Sequence, residues 1–234
     1  MVKILAIGAH PDDVELCCFG TLARCVKRGD SVVVCSVTNG NQGSWKIEPE
    51  RLRLVRMAEA AKAAQVIGAS YCTLDVDDMV LDASDAETRL KMTELIRSVQ
   101  PDVVITHAPE DYHPDHGATE QLVFHSLVQT TLAHVKTASA PLERPFVLYH
   151  MDKVGGGTFI PTEFVDISST YGMKGEALSH HVSQIDILAK GTTVDLLDTM
   201  EVMARFRGMQ CGCRFAEAFR WCDRRPAPTA RLLP

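Results

Sequence analysis

The stretch Val2-Lys3-Ile4-Leu5-Ala6-Ile7-Gly8-Ala9-His10-Pro11-Asp12-Asp13 carries the information that selects the fold. From Val2 to Ala9 apolar residues barely alternate with polar ones, the pattern of a strand covered on both faces of a parallel sheet. The run ends in a proline and two aspartates, residues suited to the first turn of a helix. Leu16, Phe19, Leu22, Ala23 and Val26 then recur at helical spacing, which predicts a helix over 12–27 stopped by Gly29.

Further along, the same alternation repeats. Strands are expected at 31–37, 71–76 and 102–107, and helices at 49–67, 85–99 and 116–134. Two more strands are expected at 145–151 and 163–167, around Gly155-Gly156-Gly157, followed by helices at 173–188 and 192–207. The tail, with Pro226 and Pro228, is expected to wrap the surface. Strands alternating with helices give an α/β class with a mostly parallel central sheet. With no repeat or low-complexity linker in 234 residues, a single domain over 1–234 is expected.

Composition narrows the function. Hydrophobic residues are 46% and charged residues 23%, the mixture of an ordinary globular protein. A net charge of -6 argues against electrostatic capture of nucleic acid, and Arg224, Arg225 and Arg231 are too few to reverse it. No stretch approaches a membrane span. The apolar start, Ile4 to Ile7, is too short for a signal-peptide core and runs into Asp12 and Asp13, so a cytoplasmic location is expected. The eight cysteines are then expected to be mostly free, with Cys211 and Cys213 forming a Cys-x-Cys that lacks a second partner motif.

Two strings carry metal-type side chains: His10-Pro11-Asp12-Asp13 after the first strand, and His113-Pro114-Asp115-His116 in the loop after the fourth. Ligands of open parallel sheets collect at such carboxyl ends. Two imidazoles and one carboxylate with an open fourth position suit catalytic zinc, so His10, Asp13 and His116 are the candidate ligands. Iron or another divalent ion also fits such a set. Asp12, beside Asp13, is the candidate general base. His113 is placed to stabilise an oxyanion or protonate a leaving amine, and Asp115 to fix an imidazole tautomer. Either string alone reads as a helix cap; the pairing at two strand ends is what favours a site. His107 ends a strand and is expected beside the ligands, whereas His125, His134 and His150 are expected to be surface or satisfied polar residues.

At these residues the sequence resembles the LmbE-like (PIG-L) family of zinc-dependent N-acetylglucosamine deacetylases. The resemblance is carried by Ala9-His10-Pro11-Asp12-Asp13-Val14-Glu15-Leu16 and His113-Pro114-Asp115-His116. It continues through Gly20-Thr21-Leu22-Ala23, Thr38-Asn39-Gly40, Arg56-x-x-Glu59, Val165-Asp166-Ile167, Lys174, His181-x-Ser183-Gln184 and Phe215-Ala216-Glu217-Ala218-Phe219. It implies a Rossmann-like three-layer sandwich and hydrolysis of the acetamide of an aminosugar conjugate. By the same resemblance His113 and Asp115 assist the transition state and Arg56 contacts substrate. Asp78 matches a frequent acidic position, here assigned to substrate binding. The compact bacterial branch with the bacillithiol-biosynthesis deacetylase is most similar, which implies a homo-oligomer, often a hexamer. Cys17-Cys18-Phe19 stand where many relatives have glycines, which changes helix packing near the metal but touches no ligand, and Met79-Val80 is unlike the usual glycine, so the wall of the sugar pocket is expected to differ. Tyr112 and His181 are left without a firm role.

Two other readings stay open. One is an amidase or tailoring deacetylase acting on a different amide. The other is a non-catalytic Rossmann-like nucleotide-binding module, disfavoured because Gly8-Ala9-His10-Pro11 replaces the Gly-x-Gly-x-x-Gly turn. No Gly-x-Ser-x-Gly elbow supports a serine hydrolase.

Overall fold

A computed structural model describes residues 1–191 and 195–234. Its strands are β1 (Lys3–Gly8), β2 (Ser31–Thr38), β3 (Ser70–Val76), β4 (Val103–Thr106), β5 (Val147–Met151), β6 (Glu163–Asp166) and β7 (Ala216–Trp221). They form one sheet in the order β3-β2-β1-β4-β5-β7-β6. The run from β3 to β5 is parallel, and β7 lies antiparallel between β5 and β6.

Successive β1 side chains enter opposite cores. Ile4 and Ala6 pack with Phe19, Leu22, Ala63, Ala177 and Phe215. Leu5 and Ile7 pack with Met92, Ile96, Leu122 and Val123. Helices α2 (Phe19–Lys27), α3 (Pro49–Gln65), α6 (Tyr171–Ser179) and α8 (Leu196–Cys211) cover the first face, and α4 (Ala86–Val99) and α5 (Pro114–Gln129) the second. Double covering of a mostly parallel sheet is the expected three-layer α/β sandwich.

Chain order places the site. The chain winds outward from β1 to β3, then returns to lay β4 against the other side of β1. That reversal opens a crevice at the carboxyl ends of β1 and β4, where open α/β sheets bind ligands. Both metal-type strings leave the sheet there.

Several boundaries differ from the sequence reading. The first helix is broken into α1 (Asp13–Cys17) and α2, with Cys18 at φ -144° and ψ 5°. The break gives α2 its own amino terminus, where the buried Glu217 accepts the Gly20 and Thr21 N–H groups at 3.0 and 2.7 Å. A side chain at Gly20 would meet Ile167 at 2.8 Å, so this glycine lets α2 approach that segment. The helix expected at 173–188 is also two helices, α6 and α7 (Val182–Gly191). Residues 192–194, expected to begin the last helix, lie outside the described residues; α8 runs on to Cys211, where Gly212 caps it at φ 77°. The sequence reading missed β7 altogether. All eight cysteines are free, and Cys211 and Cys213 Sγ lie 3.5 Å apart. Among the described residues no helix is long and apolar enough to cross a membrane.

Candidate metal centre and hydrolytic site

Local geometry first explains how His10 and Asp13 meet. Gly8 ends β1 beneath the Asp13 side chain, and a Cβ there would come within 2.8 Å of Asp13 Cβ. The chain turns sharply, and Asp12 takes φ 120°, a conformation costing an L residue of order 1–3 kcal/mol. Thr38, at the end of β2, holds the Ala9 carbonyl through its N–H at 2.7 Å and its hydroxyl at 2.9 Å. Asp13 Oδ2 accepts the His10 N–H at 2.7 Å, so the carboxylate folds back over the turn.

His116 sits in the first turn of α5, after Pro114, with His113 as the N-cap. It reaches the β1 turn across the crevice. His10 Nδ1 lies 3.5 Å from Asp13 Oδ2 and 3.3 Å from His116 Nε2, and His116 Nε2 lies 3.3 Å from Asp13 Oδ1. A tetrahedral ion bound at the zinc–nitrogen distance of about 2.0–2.1 Å needs donors about 3.3 Å apart. The set therefore fits such an ion in spacing as well as in chemistry.

The free nitrogens are identified by their partners. His10 Nε2 faces Asp115 Oδ2 at 3.2 Å and His116 Nδ1 faces Asp111 Oδ1 at 2.9 Å. A proton on each of those nitrogens leaves His10 Nδ1 and His116 Nε2 as lone pairs for a metal, the carboxylate–histidine arrangement common at metal sites. Asp111, which the sequence reading did not single out, thus orients the His116 ring. It also lies 3.5 Å from His107 Nδ1.

Two other donor groups converge, His10 with His113 and His116, and Asp13 with His107 and His116. Hydrogen bonding removes the extra member from each. His107 Nε2 accepts the Ala9 N–H at 2.9 Å, which occupies its lone pair. The same nitrogen is 3.1 Å from Asp13 Oδ2 but cannot both accept from Ala9 and donate to Asp13; the backbone donor is invariably an N–H and decides the tautomer. His113 Nδ1 accepts the Asp115 N–H at 3.2 Å, which in the neutral ring puts the proton on Nε2. Burial, His10 and His116 hold the His113 pKa below its ordinary value, so the ring is neutral.

Charge in the metal-free site follows from these contacts. Burial depresses the His10 pKa, but the bonds to Asp115 and Asp13 outweigh it and raise it to about 9. For His116 burial is again outweighed, by Asp13 and Asp111, giving about 10. Asp13 is held well below the carboxylate range, with His116 and the bond to His10 overcoming its burial. Burial pushes Asp12 upward, against the pull of Arg56.

Arg56 lies on α3 and is only 3% exposed. Its guanidinium bonds Asp12 Oδ2 at 3.1 Å, Pro11 O at 2.6 Å and Gly40 O at 3.3 Å. A Cβ at Gly40, which has φ 77°, would come within 2.6 Å of Arg56 Cδ. The Thr38-Asn39-Gly40 string thus lets the guanidinium pass under the turn after β1. Asp78 accepts the Gly40 and Gln42 N–H groups at 2.9 and 3.2 Å, so it braces the loop after β2 while still bordering the cleft. Asp12 Oδ1 takes no protein hydrogen bond among the described residues.

A cleft of about 650 Å³ opens over these groups. His10, Asp12, Asp13, Arg56, Asp78, His113 and His116 all line it; Asp115 stands behind His10 and accepts the Met79 N–H at 2.9 Å. Tyr112 and Gln184 also line it. His181 is fully buried, 3.6 Å from Glu15 Oε2, outside the lining. Among the remaining histidines, His125 and His134 are exposed and His150 is buried against Glu120 at 3.2 Å. Lys174 and Glu217 form a buried ion pair that joins α6 to β7, with Lys174 also donating to Leu16 O at 2.8 Å.

A family model described as PIG-L, GlcNAc-PI de-N-acetylase, matches residues 5–127, more than half of the chain. The chain belongs to the PIG-L family. The matched segment contains His10, Asp12, Asp13, Arg56, Asp78, His113, Asp115 and His116. Among PIG-L relatives, diacetylchitobiose deacetylase from Thermococcus kodakarensis is 26% identical over 94% of this chain and 82% of its own length. The conserved protein TT1542 from Thermus thermophilus superposes with a TM-score of 0.82 at 30% identity, over 99% of this chain and 98% of that one. The same fold also serves the 4-carboxy-2-hydroxymuconate hydratase of Pseudomonas putida, at a TM-score of 0.84 and 22% identity, covering 99% of this chain and 100% of that one.

Proposed function

We propose that the chain is a zinc-dependent N-deacetylase that hydrolyses the acetamide of an N-acetylglucosamine-type conjugate to acetate and a free amine. The observation that carries this reading is the triangle of His10 Nδ1, Asp13 and His116 Nε2, open to a cleft that also holds an Asp12 oxygen with no hydrogen bond among the described residues. A fold shared with a hydratase does not choose the reaction. The choice rests on the de-N-acetylase family model and on the deacetylase among the relatives.

His10, Asp13 and His116 would hold the ion, which when bound supplies a Lewis acid that makes water acidic enough to attack near neutral pH. Asp12 takes the proton of the attacking water, with Arg56 fixing the carboxylate through Oδ2 and leaving Oδ1 for that proton. His113, neutral with its proton on Nε2, donates to the oxygen that becomes negative as the carbonyl is attacked. Asp115 acts through His10, whose orientation it fixes, and Asp78 acts through the loop it braces. The proton held by Asp12 then reaches the departing nitrogen. By the family resemblance the working form is a homo-oligomer, often a hexamer in the compact bacterial branch.

The test couples metal content to acetate release. Purified protein is expected to carry about one zinc per chain and to free acetate from N,N′-diacetylchitobiose or a simple N-acetylglucosaminide. Asp12→Asn is expected to keep its zinc and lose about 10²–10⁴ in kcat, the usual contribution of a positioned base. A zinc-loaded Asp12→Asn variant with full turnover rules out Asp12 as the base.

A further inference from the structure

The wall of the cleft is as informative as its floor. Leu16, Met79, Tyr112, Val154, Leu188 and Leu196 give it an apolar side. Met79 and Tyr112 are 60% and 64% exposed, and Val80, the next residue, is 67% exposed. Large apolar side chains left open to water beside a binding cleft mark a surface that something covers.

Met79 adds an independent observation. It has φ 65°, a left-handed conformation that glycine adopts freely and that a residue with a Cβ adopts at a cost. Its N–H bonds Asp115 Oδ2 at 2.9 Å, and the same oxygen faces His10 Nε2, so the backbone at 79 is fixed by the site. The chain therefore maintains a long apolar side chain at a strained position on the rim. Strain of this kind is tolerated where the side chain is used.

Charge points the same way. Among the described residues Arg56 is the one Lys or Arg side chain lining the cleft, and its guanidinium is committed to Asp12, Pro11 O and Gly40 O. Asp12, Asp13 and Asp78 make the lining otherwise acidic. Residues 192–194, Thr-Thr-Val, carry no charge to change this. Among the described residues no Lys or Arg in the lining is therefore free to pair with a carboxylate or phosphate on the group attached to the sugar.

We infer that the group attached to the aminosugar is neutral and apolar, an alkyl or aryl aglycone seated against Met79 and Tyr112, and not a carboxylated or phosphorylated one. This rests on the deacetylase reading above and names its substrate class. A tenfold preference equals about 1.4 kcal/mol. At about 25 cal/mol per Å² that requires roughly 56 Å² of apolar surface, less than a phenyl group offers.

The experiment compares acetate release by the zinc-loaded protein from free N-acetylglucosamine, its octyl and phenyl glycosides, and its malyl glycoside. The expected result is a kcat/KM at least tenfold above the free sugar for octyl or phenyl, and no gain for malyl. The larger of the octyl and phenyl rates tells alkyl from aryl. Met79→Gly, which relieves the strained φ and so should fold, is expected to lower the apolar-to-free ratio at least threefold, and Met79→Leu to retain it. A malyl glycoside that matches the apolar ones, or no preference over the free sugar, overturns the inference. A preference that survives in Met79→Gly removes Met79 from it. Failure to free acetate from any of the four sinks the deacetylase reading instead.

Discussion

Replacing Asp111 tests the proposed metal centre without touching any of its proposed ligands. Asp111 Oδ1 is 2.9 Å from His116 Nδ1, and its side chain is 2% exposed, so the bond is shielded from water. A hydrogen bond to a charged group contributes about 1.5–3 kcal/mol, and a neutral one roughly half as much. Asp111→Asn keeps an acceptor of the same shape but loses the charge, a cost of about 1–1.5 kcal/mol to the conformation of His116 that binds metal. Tenfold in affinity is about 1.4 kcal/mol, so zinc is expected to bind roughly tenfold more weakly. Asp111→Ala loses the bond entirely and leaves the Nδ1 proton buried without a partner; about a hundredfold is expected, the upper end for such outer groups. The assay is competition for zinc against a chromophoric chelator at fixed pH, with circular dichroism to establish folding. Because Asp111 does not line the cleft, kcat at saturating zinc should recover to within a few-fold in the Asn variant. Folded Asn and Ala variants that both bind zinc like the parent would refute the assignment of His116 Nε2 as a ligand held by Asp111. An Asn variant still inactive at saturating zinc would place Asp111 in the chemistry itself.

Other perturbations probe neighbouring links. Gly40→Ala forces a Cβ onto Arg56 at φ 77°, so about 1–2 kcal/mol of stability and at least tenfold in kcat/KM should be lost; Gly68→Ala, at φ 70° with no atom within 4 Å, should lose similar stability and no activity. Glu217→Gln keeps one carbonyl oxygen for Lys174 but removes the charge that balances the buried ammonium and sets an NH2 group against a backbone N–H at the start of α2, and about 3–5 kcal/mol should be lost in urea unfolding. Metal-free protein should lose stability as pH rises. The raised His10 and His116 pKa values, about 9 and 10, stabilise it fully below the ordinary histidine value of 6.5 and progressively less as pH passes through 9 to 10. Zinc affinity should climb over the same interval, because binding expels those protons, and thermal melts with and without zinc at about pH 6.5 and 9.5 would show the two trends diverging.

The elements legible in the sequence were those whose burial follows one period. After Lys3, β1 is apolar and buried because it is covered on both faces, and its strand was plain from Ile4 to Ile7. β7 was hidden because its buried positions include Glu217, a charge that a strand interior normally excludes. Only in the folded chain does that carboxylate meet the amino end of α2 and Lys174, which make its burial tolerable. The break at Cys18 has the same origin, since the partner that caps α2 lies nearly two hundred residues away. Among the site residues, those in the two dense strings could be read directly. Asp111 could not, because an aspartate two residues before a histidine is an ordinary loop residue until α5 turns His116 back onto it.

What folding adds to the motif is the number of ligands. His10, His107, His113 and His116 all lie within contact of Asp13 or of one another, and a reading by residue type alone permits four or five donors. A set that large would close the coordination sphere, as structural sites do. The Ala9 N–H occupies His107 Nε2, and the Asp115 N–H occupies His113 Nδ1. Both donors are backbone groups at the points where the strings leave β1 and enter α5, so they cannot be reassigned by rotating a side chain. In the metal site proposed above the ligand count would therefore drop to three, beside the cleft that Asp12 and His113 line. In that proposal the openness that separates hydrolytic metal centres from structural ones would follow from two backbone hydrogen bonds, one just past β1 and one in the first turn of α5.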